Sequence, residues 1–289
     1  MNVNVSTVFR QSPIRRNTWR SMLRDPMTAL GTGILAIIIL LTLIGPFIVP
    51  NDSLAVKMSE RLQSPSWQYP LGTDHLGRCI FSRLVAGAKT TLGISAFVII
   101  SVTLIGIPVG LLSGYVGGRV DALLMRLVDG VGALPEFILA IAISGFLGPS
   151  LTNLMLSIVL VKWIGYARVV RSIVLSEREK EYVLAARVAG CSTWTVLWRH
   201  LLPQIISPVV VLAALDIGKI ILIISALSYL GLGAQPSAPE WGAMLNDGRP
   251  YFQTVPELMI YPGVAIMLVV VSCNLISDGL RHILDVRSR

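Results

Sequence analysis

The chain has 289 residues, of which 54% are hydrophobic and 14% charged, with a mean hydropathy of +0.72 and a formal net charge of +8. A water-soluble domain of this size cannot hide so much apolar surface, so lipid is the expected solvent. Cys79, Cys191 and Cys273 are far apart and odd in number, which excludes a disulfide framework, and the cations cluster beside apolar runs without interleaved aromatics, which excludes a nucleic-acid stripe.

Residues 1–28 form a basic segment with Arg10, Arg15, Arg16, Arg20 and Arg24 around apolar Trp19, Met22 and Leu23. An interfacial helix would bury the apolar groups and leave the arginines among lipid phosphates; for residues 1–12 a disordered tail is the alternative. Crossing a bilayer as a helix takes roughly 20 apolar residues. Runs of that kind occur at 29–49, 91–114, 122–147, 151–170, 205–231 and 258–276. They are continuously apolar and do not alternate, so the expected fold is all-α, a polytopic membrane protein of six transmembrane helices forming one domain over 29–289. Pro135 is expected to kink the third span.

The arginines of the N-terminal segment, those at Arg168, Arg171, Arg178, Arg187 and Arg199 with Lys180, and those of the tail at Arg281, Arg287 and Arg289 fall on one side of a six-span chain. That side is expected to be cytoplasmic, with both termini, although Lys57, Arg61, Arg78, Arg83 and Lys89 oppose the bias. Segments 50–90 and 232–257, rich in proline, are then external. Trp241, Tyr251 and Phe252 of the second either cap an external mouth or belong to an interfacial aromatic belt.

The most specific feature lies at 171–203, between the fourth and fifth runs. Residues 172–189 are good helix formers, Gly190 can end a helix in the left-handed conformation, Ser192 can cap the next, and Pro203 is expected to close it. Short Ala185, Ala186, Ala189 and Gly190 would let this elbow lie close to another protein, with Glu177, Arg178, Glu179, Lys180 and Glu181 as a charged flank. A solvated loop with alanine filler is the plain alternative. The pattern resembles the EAA loop of binding-protein-dependent ABC importer permeases, in which an Ala-Ala pair, a Gly and a Leu-Pro follow at fixed intervals. Ala185, Ala186, Gly190, Leu202 and Pro203 match it, while Leu184 and His200 depart from it. Glu181, Tyr182 and Val183, with that histidine, resemble the dipeptide, oligopeptide and nickel branch.

Further resemblance to that branch runs through Leu71-Gly72-Thr73-Asp74, Gly77-Arg78, Ser82-Arg83-Leu84, Leu230-Gly231-Leu232-Gly233, Glu240-Trp241-Gly242, Asn274 and Asp278-Gly279-Leu280-Arg281. Cys79 and Lys89 replace an Asp and an Arg of the pattern. The resemblance implies a multi-pass subunit of the bacterial inner membrane, paired with a homologous permease as a heterodimer. It further implies two ATP-binding subunits docked on elbows of this kind and an external solute-binding protein that sets most of the selectivity. The cargo implied is a nickel or other metal chelate or a small peptide, with Tyr166 to Ser172 and Leu215 to Gly218 closer to the nickel type. In agreement, no phosphate-binding loop is present, so no catalysis and no cofactor is expected in this chain.

Asp216 and Lys219 lie three residues apart on one helix face inside an apolar run, and Glu136 follows Pro135 in another. Either a polar lining of the path or a structural ion pair at a subunit interface would account for them, and Asp129 and Lys162 raise the same choice. His75, His200 and His282 are dispersed, so no resident metal site is expected. An ion-gradient-driven secondary transporter is the competing function; it explains the intramembrane charges but not the elbow.

Overall fold

The computed structural model describes residues 25–48, 51–233 and 238–285, with side chains through residue 281. Expectations for residues 1–24, for Arg287 and Arg289, and for the His282 side chain lie outside these. The described residues form no strand; Thr73 and Cys79 make one isolated antiparallel bridge.

Helix α1 spans Pro26–Ile48 and is capped by Asp25, whose carboxylate accepts the Thr28 amide at 2.9 Å. The loop that follows leads into α2, Ile80–Val116, which begins earlier than the second apolar run because the polar turn before it is folded onto protein. Residues 80–90 are therefore helical and not part of an extended external segment. Gly117, at a φ of +67°, ends α2 and turns the chain into α3, Gly118–Gly132. Pro135, without an amide hydrogen, separates α3 from α4, Glu136–Leu147, and the two are bent by 83°. The third apolar run is thus a broken helix rather than a kinked one.

Helix α5, Leu151–Glu177, packs along α2 in the most extensive pairing of the fold. Gly106, Gly110 and Gly114 of α2 recur every fourth residue and face Tyr166, Val170 and Val174, which recur at the same interval on α5. Bare glycine backbone allows the two helices to approach closely, the usual means of association where lipid gives no hydrophobic drive. Short α6, Glu181–Val188, follows, then α7, Thr193–Thr195, a π-helical turn over Val196–Leu201, and α8, Leu202–Tyr229. Beyond it lie α9, Trp241–Gly248, and α10, Glu257–Asp285. The main core joins α2, α5 and α8 through Val98, Val102, Leu154, Ile158, Val170, Ile220 and Ile224.

Among the described residues four stretches, Pro26–Ile48, Ile80–Val116, Thr193–Tyr229 and Glu257–Arg281, are long and apolar enough to cross a membrane, and the bent pair α3 and α4 would make a fifth. The expected run at 151–170 is helix α5, whose 27 residues would reach about 40 Å. Lys162, Arg168 and Arg171 make it the most polar of the long helices.

Candidate functional site

The elbow is built as three pieces. Helix α5 stops at Glu177, where the carboxylate accepts Lys180 Nζ and the Tyr182 hydroxyl, both at 2.7 Å, and holds the turn into α6. This break within 172–189 corrects the expectation of one helix there. Burial, reinforced by the bond to Glu177, raises the Tyr182 phenol above its ordinary range. Gly190, at a φ of +77°, ends α6: its amide reaches Arg187 O at 3.0 Å and the Cys191 amide reaches Ala186 O at 3.1 Å, the paired bonds of a Schellman stop. Ser192 then caps the next helix, its Oγ accepting the Thr195 amide at 3.3 Å. Both of these local expectations are met.

Pro203 does not close that helix. It stands in the first turn of α8, and the π-helical turn before it, with the Leu202 amide on Leu197 O, absorbs the hydrogen bond that proline cannot make. Thr193–Tyr229 is consequently one rod running from the elbow into the apolar body.

Val183 and Ala186 point inward onto Val196, Leu197 and Leu201, part of the main core. The outer face carries Leu184, Val188, Trp194 and Trp198, with Trp194 and Trp198 in ring contact at 5.5 Å. Ala185, Ala189 and Gly190 remain exposed beside them, and His200 lies half-buried with its ring 6.4 Å from that of Tyr182. Ala186 is thus internal packing, and the apolar outer face is the part that sequence reasoning missed. Arg178 and Arg187 fasten the elbow to the end of α2, through Gly114 O at 2.8 Å and the Tyr115 ring at 4.9 Å.

A second constellation joins the broken helix to its neighbours. Lys162 of α5 contacts Glu136 of α4 at 3.0 Å and Asp216 of α8 at 3.8 Å, and Lys219 contacts Asp216 at 3.4 Å. Below it, Arg168 pairs with Asp129 at 2.9 Å and Arg171 holds Asp121 by two bonds of 2.6 Å. Three ion pairs therefore tie α5 to α3 and α4. Glu136, Asp216 and Lys219 are brought together, with Lys162 as the link.

The remaining motif residues are structural. Arg78 binds Asp74 at 2.6 Å and Asp247 at 3.1 Å, and Arg83 reaches Asp247 at 3.3 Å, all with the arginines buried. Glu240 is fully buried and accepts the Gly242 and Ala243 amides, both at 2.9 Å, and the Thr91 hydroxyl at 3.2 Å. Trp241 is buried and donates to Leu84 O at 3.0 Å, so it neither caps a mouth nor joins an interfacial belt. His75 stacks on Tyr251 at 5.5 Å, while Phe252 stays exposed. The loop before α2 and the loop around α9 thereby form one bracket.

The family described as binding-protein-dependent transport system inner membrane component matches residues 106–289, and the N-terminal transmembrane domain of oligopeptide transport permease C matches residues 12–65. The chain is 39% identical over 270 residues to a dipeptide transport system permease protein of Alkalihalophilus pseudofirmus, covering 93% of this chain and 89% of that one. It is 42% identical over 252 residues to a nickel transport system permease protein of Escherichia coli strain K12, covering 87% and 91%. To a glutathione transport system permease protein of Pectobacterium atrosepticum it is 36% identical over 282 residues, covering 96% and 94%. In fold it is similar to the inward-facing methionine ABC transporter MetNI, with a TM-score of 0.56 and 19% identity, over 69% of this chain and 95% of that one. The chain therefore belongs to the binding-protein-dependent transport family, as a non-catalytic, multi-pass inner-membrane permease subunit of a bacterial ABC importer whose ATP is hydrolysed by partner subunits.

Proposed function

We propose that this chain forms half of a translocation path, paired with a homologous permease and docked through Glu181–Pro203 by one of two ATP-binding subunits. Both termini and the elbow then lie in the cytoplasm, with 29–289 as the transmembrane domain. The cargo is a nickel or other metal chelate, ahead of a di- or oligopeptide, delivered by an external solute-binding protein. One observation carries the reading: Trp194 and Trp198, exposed on the elbow, share one unbroken helical rod with Asp216 and Lys219. A push at the docking end of this stretch is passed along continuous helical backbone to the intramembrane charges, which is what coupling to an external motor requires. The residues at 166–172 and 215–218 favour the nickel type by resemblance, and in this reading Glu136, Asp216 and Lys219 line the path.

The test is uptake by vesicles that hold the assembled importer but no ion gradient. Uptake on adding ATP and the loaded binding protein is the expected result. Uptake that ignores ATP and follows a proton gradient would transfer the assignment to an ion-driven carrier. Comparing nickel with a dipeptide in the same vesicles decides the cargo.

A further inference from the structure

The four charges of the α4, α5 and α8 cluster are unequally placed. The side chains of Lys162 and Asp216 are 9% and 8% exposed, whereas those of Glu136 and Lys219 are 43% and 65% exposed. Contacts of 3.0, 3.8 and 3.4 Å run in series from Glu136 through Lys162 and Asp216 to Lys219. The buried pair compensates itself and holds one carboxylate and one ammonium outward. A charge facing lipid inside the bilayer is costly, so this face belongs against water or protein. The hydroxyl of buried Tyr166 adjoins Asp216 and adds a neutral polar group to the cluster.

We infer that this cluster recognises a zwitterionic solute, with the cargo's amino group on Glu136 and its carboxylate on Lys219. The inference rests on the permease reading above and narrows its cargo class. Both carboxylates already face an ammonium, and among the described residues no three His, Cys, Asp or Glu side chains gather to hold a bare metal ion. A naked dication is repelled by Lys162 and Lys219. Free dipeptides fit, as do metal ions wrapped in amino-acid ligands, since both present separated amino and carboxylate groups.

The experiment uses the complete importer in vesicles, with ATP supplied and labelled alanyl-alanine or its C-terminal amide offered at matched occupancy of the binding protein. The wild type should carry the free peptide at least tenfold faster than the amide. Lys219→Gln should abolish that preference, and Lys219→Arg should restore it. A merely structural Lys219 would slow both cargoes in equal proportion, and that result, or unchanged rates for both, overturns the inference. ATP-dependent uptake of a nickel complex whose ligand has no amino group, and of neither peptide, would overturn this inference alone; no ATP-dependent uptake of either peptide or of nickel would overturn the permease reading with it.

Discussion

Gly110 of α2 and Val170 of α5 are in such close register that a methyl group on Gly110 would stand 2.6 Å from Val170 Cβ and equally near Ala167 O. The second of those atoms is backbone and cannot turn aside. Gly110→Val is therefore expected to separate the two longest-packed helices, at a cost of about 1–3 kcal/mol or more for overpacking. Gly93 and Gly165, on the same two helices, have open space where a Cβ would go, so Gly93→Ala and Gly165→Ala should be neutral or slightly stabilising. Thermal unfolding of the purified subunit, read against these controls, checks the prediction; equal melting of Gly110→Val and Gly93→Ala would refute it.

Asp247 is the shared counter-charge of Arg78 and Arg83, which are both buried. Asp247→Ala leaves two guanidiniums with Asp74 as the remaining carboxylate of the ion-pair cluster, and breaking such a buried arrangement costs about 3–5 kcal/mol. The loss should appear as faster amide exchange in the turn from Gly72 to Arg83, whose amides depend on the bracket. Lys57→Ala, which removes a surface pair with Glu60, should leave exchange there nearly unchanged.

These two sites show why some of the molecule is legible from sequence and some is not. The helical class follows from continuous apolar runs, and the stop at Gly190 and cap at Ser192 follow from backbone chemistry confined to four or five residues. The glycine stripe at 106, 110 and 114 carried a readable signal, a small residue at every fourth position, but not the identity of the helix it meets. Arg78 and Arg83 look like ordinary external cations until Asp247, more than 160 positions away, is folded against them. Pro203 misleads for a related reason: a proline ends a helix only where the chain cannot insert a wider turn, and here it inserts one. Charges in α5 are equally opaque, since their acidic partners come from both sides of the break at Pro135 and from α8.

The Tyr182 phenol titrates above its ordinary value, so the group contributes stability that is complete below the unfolded pKa of about 10 and is lost as pH rises through the higher folded value. The clasp between Tyr182 and Glu177 should thus hold throughout the neutral range and open only in strong alkali. Tyr182→Phe removes the bond at every pH. It should raise amide exchange in α6 at neutral pH, and the difference from wild type should shrink above the tyrosine range. A difference that grew with alkali would contradict the sign.

Docking makes the strongest demand on the outer face of the elbow. Val188 is 90% exposed and Trp194 66% exposed, yet Val183, five residues before Val188, is fully buried against Leu197 and Leu201. If the apolar outer face receives an ATP-binding subunit, Val188→Asp and Trp194→Ala should each weaken its recruitment by tenfold or more. The permease itself should fold normally, because both side chains are largely exposed and lie outside its core. Val183→Asp must act differently: an unpaired carboxylate in the core destabilises the elbow, so folding and recruitment fail together. Co-purification of the ATP-binding subunit, paired with thermal unfolding of the permease alone, separates the two effects. Full recruitment by a stable Val188→Asp, Trp194→Ala double variant would move the docking surface elsewhere on the chain.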